Sequence, residues 1–201
     1  MRRHLIALAA VLAVSSPVLA FDDAIQSFTD HFKTGKPVPS SALPMLMLEA
    51  EVWCYNQRED ECGWSEIYLR DDGQSVRYEL SNPWSEDVDI AYVSEIELRD
   101  NGQICEIGFD WLPSLRAYGR EDGLSLEGRD LEDMRQRVFN VVDPAQSSDC
   151  YSYIYEGYDE DRQTVTLTQR QYIGGEYQAG MNAEVTLHFD QDSANQLGWY
   201  Y

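Results

Sequence analysis

Between Glu51 and Trp64 the chain reads EVWCYNQREDECGW. Cys54 and Cys62 bracket four consecutive charges, Arg58, Glu59, Asp60 and Glu61, and a tryptophan lies within two residues of each cysteine. Thiols and carboxylates so arranged suit three jobs: a metal loop, a redox pair or a covalent staple. Metal capture by cysteine requires thiolates. Thiol exchange typically uses the closer Cys-x-x-Cys spacing, which is absent from the chain. The choice turns on the compartment in which the chain resides.

The first twenty residues, MRRHLIALAAVLAVSSPVLA, have a basic start, an apolar run from Leu5 to Val14, and small residues at Val18 and Ala20. That pattern predicts a secretory signal peptide, residues 1–20, cut before Phe21. The run is shorter than the ~20 residues a membrane helix needs. Arg2-Arg3 lacks the flanking residues of a twin-arginine signal, so ordinary secretion is expected. The destination is the periplasm if the source is bacterial, and the exterior otherwise. There the four cysteines, Cys54, Cys62, Cys105 and Cys150, read as two disulfides. Three pairings exist; sequence proximity favours Cys54–Cys62, which leaves Cys105–Cys150. On the chain-entropy model the two loops are worth about 2.5 and about 4 kcal/mol. The opening stretch is then a stapled hairpin tip, with Trp53 and Trp64 expected to flank the closure. Arg58, Glu59, Asp60 and Glu61 become a candidate contact surface.

Other chemistry finds little support. His31 and His188 are the histidines left after cleavage, too few for zinc without thiolates. His188 is expected on the surface of a strand, opposite Val185, Leu187 and Phe189. The acidic groups at 59–61, 71–72, 86–89, 159–161 and 190–192 lack the spacing and central glycine of an EF-hand loop. There is no Gly-x-Ser-x-Gly elbow. Two carboxylates could hydrolyse a glycoside, but among 36 acidic residues some pair falls at any required distance. Tyr151, Tyr153 and Tyr155 form a stripe that could grip a sugar or a partner; packing in a sheet is the expected use. No catalytic residue, metal or cofactor is therefore assigned.

Charge narrows the partners. Without Arg2 and Arg3, 13 basic residues face 36 acidic ones, a net of −23. Nucleic acid and anionic lipid surfaces need cationic patches and are poor partners; no nucleic-acid partner is expected. A basic protein or a small ligand is compatible. High net charge also keeps exported chains apart.

The elements follow from periodicity. Ala24, Ile25, Phe28 and Phe32 predict a short helix from Asp22 to Phe32, and Gly35, Pro37 and Pro39 a linker. Residues 21–40 thus precede a single disulfide-stabilised domain, 41–201. Leu46, Leu48, Ala50, Val52 and Cys54 alternate as a strand. Further strands are expected over 67–70, 76–80, 90–98 and 104–111. A helix inserts over about 130–139. Strands resume over 150–155, 164–171 and 183–189, with a short one in 196–201. Asp71-Asp72-Gly73, Asn101-Gly102 and Gly174-Gly175 mark turns.

The fold expected is mainly β: an antiparallel meander sheet, a sandwich or a small barrel of about eight or nine strands. The expected function is a non-catalytic binding module for a protein or small ligand. A small envelope hydrolase using carboxylates is one alternative. An outer-membrane barrel, prompted by the ending Leu197-Gly198-Trp199-Tyr200-Tyr201, is the other. Short strands and charges on both faces weigh against the latter.

Overall fold

A computed structural model of the chain describes residues 25–71, 75–108, 110–142 and 149–201. The expected signal peptide, the Asp72-Gly73 turn, Phe109 and Asp143-Pro144 lie outside those residues. Eight strands close an antiparallel barrel: β1 (Val52–Tyr55), β2 (Trp64–Asp71), β3 (Ser75–Pro83), β4 (Val88–Leu98), β5 (Ile104–Glu106), β6 (Cys150–Asp159), β7 (Thr164–Ile173) and β8 (Ala183–His188). Each pairs with its successor in the chain, and β8 returns to β1 with Leu187 opposite Trp53. Of the three architectures the meander allowed, the chain adopts the closed barrel. Closure removes the unpaired edges that an open sheet would offer to other chains.

Alternation divides each strand between interior and exterior. Trp53 and Tyr55 of β1, Tyr68 of β2, Val76 and Tyr78 of β3, and Ile96 of β4 enter the main core. So do Ile104 of β5, Tyr153 and Tyr155 of β6, Val165 and Leu167 of β7, and Val185 and Leu187 of β8. Outward positions carry the polar half of the pattern: Arg77 pairs with Glu95 at 3.1 Å, Arg116 with Glu79, and Thr168 donates to Glu156. In the β7–β8 connection Gly174 and Gly175 both have positive φ, 58° and 85°, the left-handed pair a tight hairpin turn requires.

The wall has one thin seam. β5 has only three residues and meets β6 through two residue pairs. Two devices reinforce it. Cys105 and Cys150 face each other across the seam and form a disulfide. Beyond β5 the segment Lys36–Pro37 pairs with β6 at Tyr155 and Ile154, and Val38 N donates to Tyr153 O. The Gly-Pro segment expected as a linker is thus part of the wall. Ahead of it residues 25–29 are helical, so the predicted helix ends three residues before Phe32, while its expected start at 22–24 lies outside the described residues; Phe32 meets the Tyr155 ring edge-on at 5.3 Å.

Two further expectations are corrected. Residues Leu43–Glu49 form a helix, α1, not the start of a strand. Leu43, Leu46 and Met47 recur at helical spacing and are fully buried, Pro44 suits the first helical turn, and Leu48 is 46% exposed. The strand begins only at Val52. The strand expected over 104–111 stops at Glu106, and Trp111 joins a second, smaller core instead. That core is built by Ile90, Leu115, Ala117 and the inner face, Met134 and Val138, of helix α2 (Gly128–Val141), close to the helix expected over 130–139. An unforeseen strand, Arg116–Gly119, pairs there with β4.

Helix and strand readings of 46–50 differ in what they require of Leu48. Leu46→Ala should destabilise by about 2–5 kcal/mol in urea unfolding, as large-to-small core changes do. Leu48→Ala should change stability by less than about 0.5 kcal/mol. Equal losses at the two sites would restore the alternating strand.

Candidate functional site

Inward alternation along β2 puts Trp64, Glu66 and Tyr68 on the interior face. Glu66 is 9% exposed. Burying a carboxylate without partners is costly, so the surroundings must supply donors. Tyr55 of β1 and Tyr68 of β2 both donate to Glu66 Oε2, each at 2.7 Å. The Tyr55 hydroxyl has one proton, already given to Glu66. Its 3.4 Å contact with the Tyr153 hydroxyl therefore runs from Tyr153 to Tyr55. Gln169 Nε2 in turn donates to Tyr153 Oη at 3.1 Å. A directed chain, Gln169 to Tyr153 to Tyr55 to Glu66, crosses the barrel from β7 to β2, and Glu66 Oε1 is left without a hydrogen-bond partner among the described residues.

These groups line a cavity of about 190 Å³ inside the barrel. Its wall also includes a second acid, Glu106 of β5, which accepts a hydrogen bond from Tyr151 at 3.0 Å. Leu80, Ile96 and Ile104 supply apolar surface, and Met181 is the lining side chain that is exposed, so the cavity opens towards it. Burial pushes the Glu66 carboxyl up to about 7, against the two phenols that favour its charged form; nearby Glu106 adds to the rise. Burial raises Glu106 too. Tyr55 and Tyr68, buried beside Glu66, are held well above the usual phenol range and remain donors.

The loop singled out in the sequence sits elsewhere, on the outside. Cys54 and Cys62 form the expected disulfide, with Cα atoms 5.3 Å apart. Its cover differs from the expectation. Trp53 points into the barrel and Trp64 stacks on Tyr55, whereas Trp199 packs against the disulfide with Val52 and Leu197. Trp199 Nε1 donates to Ser65 Oγ at 3.0 Å. The chain's aromatic ending therefore seals the staple: Gly198–Trp199 pairs with Glu61–Cys62, and Arg58 lies 4.2 Å above the Tyr200 ring. Arg58 and Glu61 are engaged within the chain, while Glu59 and Asp60 line an outer groove of about 650 Å³.

Asp159, Asp161, Glu184 and Asp190 also line that groove, with Arg162 as its guanidinium. His188 lies on the outer face, as its position in the strand predicted, but it is buried rather than exposed. From the stapled loop Gln57 Oε1 meets its Nε2 at 2.9 Å, and Nδ1 has no hydrogen-bond partner among the described residues. Burial lowers its pKa, opposed by Asp190.

Of the residues singled out in sequence, Tyr151 and Tyr153 reach the cavity and the Arg58–Glu61 loop does not. Glu66, Glu106 and Gln169 were missed. A glutamate two residues from an aromatic on each side, Trp64-x-Glu66-x-Tyr68, was the available signal. No protein-family model matches the chain, and no curated protein matches its sequence.

Because Glu66 has a higher pKa folded than its ordinary 4.5, the folded state holds a proton that the unfolded chain releases. Its contribution to stability is full below about 4.5 and is lost as pH rises through about 7. From pH 5 to pH 8 this should cost about 2 kcal/mol, judged from one proton over that window. Glu106 and Asp89, also raised, add in the same direction, and His188 opposes. Urea unfolding at the two pH values should therefore show a smaller drop in Glu66→Gln than in the native chain. An unchanged drop would mean Glu66 titrates normally.

Proposed function

We propose that this is an exported, non-catalytic barrel that binds a small ligand in its interior. The observation that carries the reading is the cavity on which Glu66, Glu106, Gln169 and the tyrosines converge. Ligand sites combine apolar walls with a few placed polar groups, as this one does. The two disulfides suit an oxidising compartment. No helix among the described residues is long and apolar enough to cross a membrane.

The alternatives fit less well. Hydrolysis by paired carboxyls needs environments that push the two pKa values apart. Here burial pushes Glu66 and Glu106 the same way. A membrane barrel turns an apolar band outward. This barrel turns ion pairs and threonines outward, with only scattered apolar residues such as Ile67 and Leu69 among them, and keeps most of its large apolar side chains inside. The outer groove supports a second reading, in which its six carboxylates attract a basic protein through contacts that salt weakens.

At the ~30 Å³ of liquid volume a water occupies, the cavity holds on the order of six non-hydrogen atoms. Fragments of that size should give saturation-transfer NMR signals and compete for a single site. Ile104→Phe, which places a ring in the cavity, should abolish them while near-ultraviolet circular dichroism stays native. Absence of competing fragments, or fragments indifferent to Ile104→Phe, would refute an interior site. Loss of binding in Glu59→Gln/Asp60→Asn instead would move it to the groove.

A further inference from the structure

Building on the reading of the barrel as a small-ligand binder, we propose that its cavity takes a primary alkylammonium ion, docked on Glu66 and Glu106. The ion is either a free monoamine or the ammonium end of a lysine side chain, which share this chemistry.

Charge is the first argument. Among the described residues the lining has two carboxyl groups and no lysine, arginine or histidine. An anion would meet two acids and no cation. A neutral ligand would leave the acids, once ionised, uncompensated in a desolvated space. A cation offsets them. Hydrogen-bond capacity is the second argument. The phenols of Tyr55 and Tyr68 occupy Oε2 of Glu66 and leave Oε1 without a protein donor among the described residues. Glu106 accepts one side-chain hydrogen bond, from Tyr151, among the described residues. An R–NH₃⁺ group has three donors and no acceptor, the complement of these oxygens.

The walls supply the third argument. Trp64, Tyr68, Tyr78, Tyr151 and Tyr153 line the cavity, and aromatic faces attract ammonium groups. Leu80, Ile96 and Ile104 offer apolar surface to a short alkyl stem, and Met181 marks the opening through which it would enter. A divalent metal fits poorly: calcium takes six to eight oxygens, and no cluster of three or more metal-holding side chains occurs among the described residues.

Docking an ammonium requires ionised Glu66, so binding releases its proton. The titratable groups acting on Glu66 are Tyr55 of β1, Tyr68 of β2, Glu106 of β5 and, through the shared network, Tyr78 of β3 and Tyr153 of β6. The phenols are raised and stay neutral, so Glu106 is the one neighbour that titrates alongside it. Affinity should therefore fall about tenfold for each pH unit below 7.

Calorimetry on the disulfide-bonded protein tests this with n-propylammonium, 1-propanol, propionate and Nα-acetyl-lysine methylamide. At pH 8, n-propylammonium should bind one site, 1-propanol at least about tenfold more weakly, and propionate not at all. At pH 6 the amine should bind about tenfold more weakly. Glu66→Gln and Glu106→Gln should each lose at least about tenfold, and Glu66→Gln should flatten the pH dependence; Glu106→Gln serves if Glu66→Gln fails to fold. Binding of the lysine derivative assigns the site to lysine side chains, and its exclusion assigns it to free amines. If 1-propanol or propionate binds as tightly as the amine, the cation assignment falls while the small-ligand reading stands. If no probe binds, both fall.

Discussion

A carboxyl group removed from water dominates the interior of this barrel. Glu66 would cost several kcal/mol to bury as a bare ion. Two hydroxyls from adjacent strands meet on one of its oxygens, and a second layer, Tyr153 and Gln169, orients the first. The donors come from β1, β2, β6 and β7, so the network forms only when the barrel is closed. Even with two phenols, burial wins the contest over the proton and the group titrates near neutrality. A polar network of this kind is costly if half satisfied and specifying when complete. The same arrangement leaves one oxygen of Glu66 to the cavity, which is what makes the interior a candidate for binding rather than simple packing.

The rest of the molecule can be understood as holding that closure together. A ring of eight strands fails at its weakest ladder, and here that is the two-residue contact of β5 with β6. The Cys105–Cys150 disulfide spans it, and the Lys36–Pro37 segment continues the wall where β5 ends. On the opposite side β1 is only four residues long and carries the Cys54–Cys62 staple on its outer face. Trp199, Leu197 and Val52 bury that disulfide in a small core of its own. The chain's last residues thus serve the first barrel strand.

Much of the barrel was legible in the sequence. Strands with an unmistakable period of two, such as Ile90 to Leu98 and Ala183 to His188, fall where expected, and of the three possible pairings the chain forms the one that sequence proximity favoured. Two kinds of information were not local. Leu46, Leu48 and Ala50 satisfy a strand pattern, while Leu43, Leu46, Met47 and Ala50 satisfy a helical one. Only the space available decides between them, and it buries Met47 while exposing Leu48. The candidate site was less legible for a related reason. In β2 the apolar Ile67 and Leu69 point outward, at 41% and 51% exposure, and Glu66 points in with Tyr68. Hydrophobicity therefore labels the wrong face, because an interior that holds polar groups inverts the usual alternation. His188 shows the converse: its face was read correctly, but it is buried, with Gln57 of a distant loop on its ring.

A desolvated, phenol-bound carboxyl governs the barrel interior. Carbon-13 NMR of the glutamate side-chain carboxyls across pH 3 to 9, with Glu66 assigned by its loss in Glu66→Gln, tests this most directly. Glu66 should titrate with a midpoint at about 7. A midpoint near the ordinary 4.5 would place Glu66 in water and contradict it.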